Sequence, residues 1–373
     1  MTRFSKLSLL FGLTLSSISV HSATFSADGR SNGMGNIGVA TADYLAAPFY
    51  NPALVGVYNE SDDAAILIPA VAINASDVDG SIDILDDLQD SIEQLEGGDL
   101  SAQTDIDRLL RELDGNAPLA VKGAVGIAIA IPNETVSVNF YTKGFVDVVV
   151  VTDVNVNDYT DSYADLLGFG YAEYGVAFAK QYTISGETFS FGLTPKYQQF
   201  STYIERVTVE DFDVSDYDEN EKTDSAANLD IGVVWLKDDF RVAASLQNLL
   251  KQDIDTITVA GRSDTYEMSP QLTVAGAYTI QVLTVGLDIE LMKQERFKGV
   301  KDDTQFVRVG IEGNAFDWVQ LRAGYQHDME DTLDDTITAG IGFSPFGVVN
   351  IDLAGSYAGD NQLGAAANLS VMF

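Results

Sequence analysis

From about residue 304 to residue 373 the chain alternates apolar with small or polar residues at period two, and this constrains the fold more than any other feature. Successive side chains of a strand point to opposite faces, so sustained alternation means two faces of different character. Leu363, Ala365, Ala367, Leu369, Val371 and Phe373 fall on one face, and Gly364, Ala366, Asn368, Ser370 and Met372 on the other. In the same way Val349, Ile351, Leu353 and Tyr357 oppose Asn350, Asp352, Ala354 and Ser356, and Ile337, Ala339, Ile341 and Phe343 oppose Thr336, Thr338, Gly340 and Gly342. The non-apolar face also carries Arg308, Glu312 and Arg322. Strands of about ten residues with one uniformly apolar face, joined by tight turns, specify a transmembrane antiparallel β-barrel with an apolar outside and a polar lumen.

The other end of the chain agrees with that reading. Arg3 and Lys6 precede an apolar run from about Leu7 to Val20, followed by small residues at Ser22 and Ala23, which is the layout of a secretory signal peptide over 1–23. Beyond it no stretch approaches the roughly 18 to 20 apolar residues of a spanning helix. An exported chain of strands is expected in the outer membrane of a Gram-negative cell. The absence of cysteine excludes disulfides, thiol catalysis, thiolate metal sites and a lipoprotein anchor. A net charge of −35 excludes nucleic acid as a partner, because phosphate neutralisation needs basic patches.

In chain order, residues 24–63 are rich in Gly, Ala and Asn without sustained period and are expected to be compact and irregular. Gly33, Gly35 and Gly38 spell a dinucleotide-binding fingerprint, but polar residues precede it and Asn51-Pro52 interrupts the segment after it, so they are read as turn glycines where backbone packs closely. Residues 64–73 form a first strand that contains Pro69. Val78, Ile82, Leu85, Leu88, Ile92 and Leu95, then Ile106, Leu109, Leu110 and Leu113, recur at helical spacing around Gly97-Gly98, predicting an amphipathic helical hairpin within an insertion at 77–115. Further strands are expected near 119–131, 135–151, 169–181, 187–200, 226–236, 239–248, 271–280, 282–292, 304–313, 317–327, 335–344, 347–358 and 362–373, giving fourteen in a barrel over 64–373. The 135–151 stretch also reads as two strands, and Pro195 suggests a bulge. Short connections such as Lys237-Asp238, Gln281 and Pro345-Phe346 alternate with long ones at 74–118, 152–168, 201–225 and 249–270, the last hairpin being the one short exception. That alternation is expected of periplasmic turns and outer loops.

Residues 29–54 resemble the N-terminal signature of the TraF-like outer-membrane family, within the FadL-type barrel group. The residues that carry the resemblance are Gly33-Met34-Gly35-Asn36, Gly38-Val39-Ala40, Asp43-Tyr44-Leu45 and Ala47-Pro48-Phe49-Tyr50-Asn51-Pro52-Ala53-Leu54. The resemblance implies a fourteen-stranded barrel whose N-terminal segment folds inside as a hatch, and a group that transports hydrophobic compounds. Physics supplies an independent motive, since so wide a barrel cannot fill its lumen with its own side chains and the inward positions Ala120, Ala124, Gly126, Ala128 and Ala130 are small.

Three functions are expected. The first is a passive, plugged channel for small hydrophobic or amphipathic molecules, with Gly33, Met34, Gly35, Gly38, Phe49, Tyr50, Asn51 and Pro52 as plug residues, Arg308, Glu312, Arg322 and Asp352 as lumen polar groups, and Ile82, Leu85, Leu88 and Ile92 as an outer capture surface or simply as hairpin core. The second is a non-transport surface protein associated with conjugal plasmid transfer, its acidic loops near lipopolysaccharide. The third is a rim hydrolase using His327, the one histidine outside the signal peptide. No catalytic residue, metal or cofactor is expected. The run Asp211, Asp213, Asp216, Asp218 lacks the Gly and Glu of a calcium-binding loop. Leu369, Val371 and Phe373 are the expected signal to the barrel assembly machinery, with outer-membrane lipid as the surrounding partner.

Overall fold

The computed structural model describes residues 26–212, 220–316, 318–359 and 361–373. The expected signal peptide and Asp213, Asp216 and Asp218 lie outside them. Fourteen antiparallel strands close into one barrel. Its first seven are β1 (Ala65–Ser76), β2 (Leu119–Ile131), β3 (Ser137–Asp153), β4 (Tyr163–Ile184), β5 (Glu187–Thr208), β6 (Glu221–Lys237) and β7 (Phe240–Gln247). A small sheet of β8 (Gln252–Asp255) and β9 (Thr265–Met268) interrupts the series outside the barrel ladder. The barrel resumes with β10 (Gln271–Ile280), β11 (Leu283–Glu290), β12 (Phe306–Ala315), β13 (Val319–Asp328), β14 (Thr336–Phe343), β15 (Val349–Gly359) and β16 (Gln362–Met372), and closes where β16 pairs with β1. The fourteen barrel strands and the face assignments of the tail are those that the alternation predicts: Leu363, Leu369, Ile351, Leu353 and Ile337 are exposed to lipid, while Asn368, Ser370, Asp352 and Thr338 are buried inward.

Tight turns join the strands at one end. Ser185 and Gly186 both take positive φ, the geometry of the two-residue hairpin turn that matches strand twist, and Asp238 and Gln281 supply single positive-φ residues in two other turns. The wall is uneven. β4 and β5 each run 22 residues whereas β7, β11 and β14 have eight. Several expectations are corrected by this. The stretch read as one or two strands at 135–151 is the single strand β3, and much of the expected loops 152–168 and 201–225 is strand. Pro195 makes no bulge: the β4–β5 register is the same from Gly175↔Lys196 to Phe178↔Leu193, and only the rungs between are missing. The register shift lies instead at Ile68-Pro69, between Leu67 and Ala70 on both sides of β1. There the missing proline donor falls where the ladder has already slipped.

Among the described residues the α-helices are α1 (Gly29–Gly33), α2 (Ser81–Glu96) and α3 (Ala102–Leu113). Leu85, Leu88 and Ile92 of α2 are buried against Ile106, Leu109, Leu110 and Leu113 of α3 and against Val209. Ile82 packs on Leu119, Val150, Ala164 and Leu166, on the side of β2–β4 that faces away from the lumen. Of the two readings of these residues, hairpin core is the one observed, because their apolar area is used in packing the hairpin and docking it to the tall wall.

Candidate functional site

Residues 26–57 are buried almost throughout, and they touch opposite arcs of the wall. Helix α1 contacts β13–β16 and β1, and the short turn Pro52–Gly56 contacts β3–β6. A segment that reaches both arcs crosses the lumen. Its core is apolar: Leu45, Ala47, Phe49, Leu54 and Val55 pack with the wall residues Ala124, Ala128, Ala130, Tyr141 and Phe145.

Glycines admit it. A Cβ on Gly324 would overlap the Gly35 nitrogen, and one on Gly310 would overlap the Met34 carbonyl oxygen. On the opposite arc a Cβ on Gly192 would overlap Pro52 and Ala53, and one on Gly232 would overlap Asn51. Gly126 stands 2.9 Å, measured to its would-be Cβ, from the Phe49 ring, which meets Tyr141 edge-on at 5.8 Å. Among the plug residues read from sequence, Gly33 lies on Gly340, and Gly35, with φ of +70°, fits between Val309 and Tyr325. Gly38 faces the Tyr50 ring instead, so its smallness serves packing within the segment. Asn51 is extended, and its carboxamide oxygen accepts from Ala53 N at 3.0 Å, which starts the turn at Pro52.

A coil in a lumen must have its backbone polar groups satisfied by the wall. Asn368 Oδ1 accepts from Gly29 N at 2.7 Å, Thr338 Oγ1 accepts from Gly35 N at 2.8 Å, and Asp288 Oδ2 accepts from Gly38 N and Val39 N at 2.9 and 3.0 Å. In the other direction Asn139 Nδ2 donates to Tyr44 O and Leu45 O, Ser245 Oγ to Tyr50 O, and Ser190 Oγ to Ala53 O.

The charged groups form a chain. The Arg30 guanidinium donates to Glu312 at 2.9 and 2.8 Å, Arg322 donates to Glu312 and to Asp352 at 2.6 Å each, and Asp352 accepts from Asn368 at 3.0 Å. Asn368 returns the chain to Gly29, so α1 is held at two points of one network. Charge-assisted bonds between partly buried groups are the strong kind. Three of the four lumen residues read from sequence thus meet, whereas Arg308 stands apart, paired with Glu290 at 2.7 Å. Sequence reading missed Arg30, Asp288, Thr338 and Asn368. For Asp288, Thr338 and Asn368 the available signal was a polar residue at an inward strand position; Arg30, on α1, had none. It also missed Lys196, buried between Asp230 at 2.8 Å and Glu173 at 3.1 Å.

The remaining predicted residues lie elsewhere. Leu369 and Phe373 are exposed on the lipid side of the last strand, and Phe373 N donates to Ala64 O at 2.8 Å. His327 Nδ1 contacts Asp335 Oδ1 at 2.7 Å, and Tyr325 donates to Asp335 Oδ2 at 2.5 Å. These two bonds hold the Asp335 carboxyl below its usual range. The carboxylate is shared by a tyrosine and a histidine at an exposed rim, with no nucleophile bonded to the ring among the described residues.

The fold and this lumen define an outer-membrane-type β-barrel crossed by its own N-terminal segment. A family model described as "F plasmid transfer operon, TraF, protein" matches residues 48–290, and the chain belongs to that family. Among solved structures, a deltaS2S3 mutant of the monoaromatic hydrocarbon channel TodX, a Pseudomonas putida protein, aligns with TM-score 0.58 and 13% identity over 94% of this chain and 99% of its own. A FadL homologue of Pseudomonas aeruginosa aligns with TM-score 0.54 and 11% identity over 95% and 99%. The chain shares their FadL-type barrel fold. No curated protein matches it.

Proposed function

We propose that the protein is a passive channel of the Gram-negative outer membrane for small hydrophobic or amphipathic molecules, and that residues 26–57 are its hatch. The observation that carries this is the manner of attachment: the segment is seated on wall glycines and held by side-chain hydrogen bonds and one charge network, so it can leave without breaking a strand pair. A covalent strand of the barrel could not do that. A groove of about 640 Å³ in the lipid-facing wall, lined by Ile127, Ile129, Phe140, Tyr174, Pro195 and Tyr197, offers an apolar molecule a place beside the missing rungs. The one fold-mate named as a monoaromatic hydrocarbon channel supports the solute class. A cleaved signal peptide, lipopolysaccharide and outer-membrane lipid around the wall, and the barrel assembly machinery as the partner that inserts it belong to the same reading, which assigns no enzymatic step.

Uptake of a panel of labelled small apolar and amphipathic solutes should be faster in cells that express the protein than in cells lacking the gene. Equal rates across the panel overturn the channel. The family description favours a second reading, a surface protein of conjugal transfer. In that case deletion should lower mating frequency while solute uptake stays unchanged.

A further inference from the structure

The tall side of the wall has an inner face of unexpected character. The 22 residues of β4 or β5 extend about 70 Å at roughly 3.3 Å per residue, about twice what a tilted strand needs to cross the apolar band, so their outer ends stand in water. Yet the lumen side of those ends, with Val149 of β3 beside them, is apolar: Val149, Leu167, Phe169, Tyr171, Phe200 and Ile204 are all buried. Their cover comes from the low side of the barrel. The β8–β9 hairpin and the 294–304 loop, which joins β9 in an isolated bridge at Tyr266 and Phe297 through Glu267 N to Arg296 O at 2.7 Å and Lys298 N to Thr265 O at 3.1 Å, lean across the mouth. Tyr266 stacks on Phe169 with ring centroids 3.5 Å apart, Phe297 packs edge-on against Tyr266 at 5.0 Å, and Ile254 and Met268 complete the cluster.

Polar contacts fasten the edges. Thr202 Oγ1 donates to Asp255 O at 3.0 Å, Arg296 pairs with Asp147 of β3 at 3.4 Å, and at the rim Arg262 reaches Asp165 at 2.8 Å and Asp153 at 3.1 Å. Below this cluster the lumen becomes polar again with Glu173, Lys196, Gln198, Asp230 and Asn248, and below that lies the apolar core of the N-terminal segment. In the polar layer the Thr194 hydroxyl and both ends of the Gln271 carboxamide are buried without a hydrogen-bond partner among the described residues. Buried polar atoms in that condition point to water between two dry layers.

We propose that the lumen has two gates in series, the N-terminal segment on the inner side and the β8–β9/294–304 lid on the outer side, with a hydrated chamber between them. This rests on the channel reading for its purpose and on the lid's own packing for its existence. Opening the inner gate alone leaves the mouth sealed. The outer gate is released when the Tyr266–Phe169 stack parts from the tall wall and the Arg262 clasp lets go.

The chain has no cysteine, so a single thiol in the chamber reports on access from outside. Thr194→Cys is close to isosteric and breaks no hydrogen bond of the protein. In intact cells, a membrane-impermeant maleimide should label Thr194→Cys slowly, at least tenfold faster when Tyr266→Ala is added, and about threefold faster with the milder Arg262→Ser, which keeps the test alive if the first variant folds poorly. Adding Arg30→Ala instead should leave external labelling unchanged. Equal labelling with and without both lid substitutions overturns the proposal, as does fast labelling from Arg30→Ala alone. In planar bilayers Tyr266→Ala/Arg30→Ala should conduct while each single variant stays near wild type. If Arg30→Ala conducts as well as the pair, the lid is no gate and the channel reading survives. If the lid substitutions speed labelling but the pair never conducts, the lid stands and the channel reading fails.

Discussion

Gly324→Ala separates a docked hatch from a barrel that merely contains loose chain. In a strand interior, replacing Gly by Ala is favourable by about 0.5–1 kcal/mol, since the unfolded chain loses freedom and the strand gains a side chain. At Gly324 the new methyl would overlap Gly35 N and the Met34 carbonyl carbon, and neither is the end of a flexible side chain. Overpacking of this kind costs about 1–3 kcal/mol. Moving Gly35 away also gives up its bond to Thr338, about another 1 kcal/mol. Docking should therefore weaken by about 2–4 kcal/mol, a rise of roughly 30- to 700-fold in the undocked population at 1.4 kcal/mol per tenfold. The barrel itself should be no less stable. Trypsin cleavage after Arg30, followed by mass spectrometry on folded protein, reads the undocked state, because cleavage tracks the open population when reclosing is fast. Gly276→Ala and Gly313→Ala are matched controls, since a Cβ at either meets nothing within 4 Å. Cleavage after Arg30 no faster in Gly324→Ala than in these controls would refute the docking.

Other perturbations test the remaining contacts. Glu312→Gln leaves Arg30 facing a neutral partner at a partly buried site, with Arg322 kept by Asp352, and should speed cleavage after Arg30 roughly tenfold or more, by the worth of about 1.5–3 kcal/mol of a hydrogen bond to a charged group; an unchanged rate removes the latch. Lys196→Met leaves Asp230 a buried carboxylate without a cation and Glu173 with only Lys143 at 4.0 Å, and should destabilise the barrel by about 3–5 kcal/mol, seen as an earlier loss of heat-modifiable gel mobility. Asp302, in the lid loop, has its pKa pushed up to about 6, chiefly by burial against the opposing pull of Arg296. An acid raised in this way binds more protons closed than open, so closure is strongest below its ordinary 3.8, weakens as pH climbs to about 6 and stays weaker above, by up to about 3 kcal/mol. Asp302→Asn should accordingly slow trypsin cleavage after Arg262 and Lys298 at pH about 7.5, and faster cleavage there reverses the sign of the argument. Deleting Phe373 should lower the amount of folded protein in the outer membrane if Leu369, Val371 and Phe373 form the assembly signal; unchanged levels on unheated gels would end that assignment.

How far the sequence carries depends on whether one rule governs both faces of a strand. In β12–β16 it does: lipid outside and polar lumen inside hold over the whole length, so Ile337, Leu353 and Leu369 against Thr338, Asp352 and Asn368 set strand, face and register direction together. In β4 and β5 the rule holds only below Tyr174 and Tyr197. Above them the outward residues Gly168, Gly170 and Ser201 meet no lipid, the inward Phe169, Tyr171 and Phe200 meet the lid, and the sense of the alternation inverts. A reading tuned to the membrane ends the strand where the solvent changes, and so it makes these strands too short. The lid itself is carried by two four-residue strands with no period to read, and its partner surface is contributed by residues about 50 to 150 positions away, as Thr202 to Asp255 and Asp147 to Arg296 are. Inward glycines are legible as places of close backbone approach. The groups that approach them are not, because Gly35 on Gly324 and Asn51 on Gly232 are pairings that only closure of the barrel creates. The charge chain obeys the same logic. Arg322 and Glu312 face each other across one pair of strands, so alternation alone places them together. Arg30 joins them from a segment 282 positions away that crosses the lumen, and no strand period can show that contact.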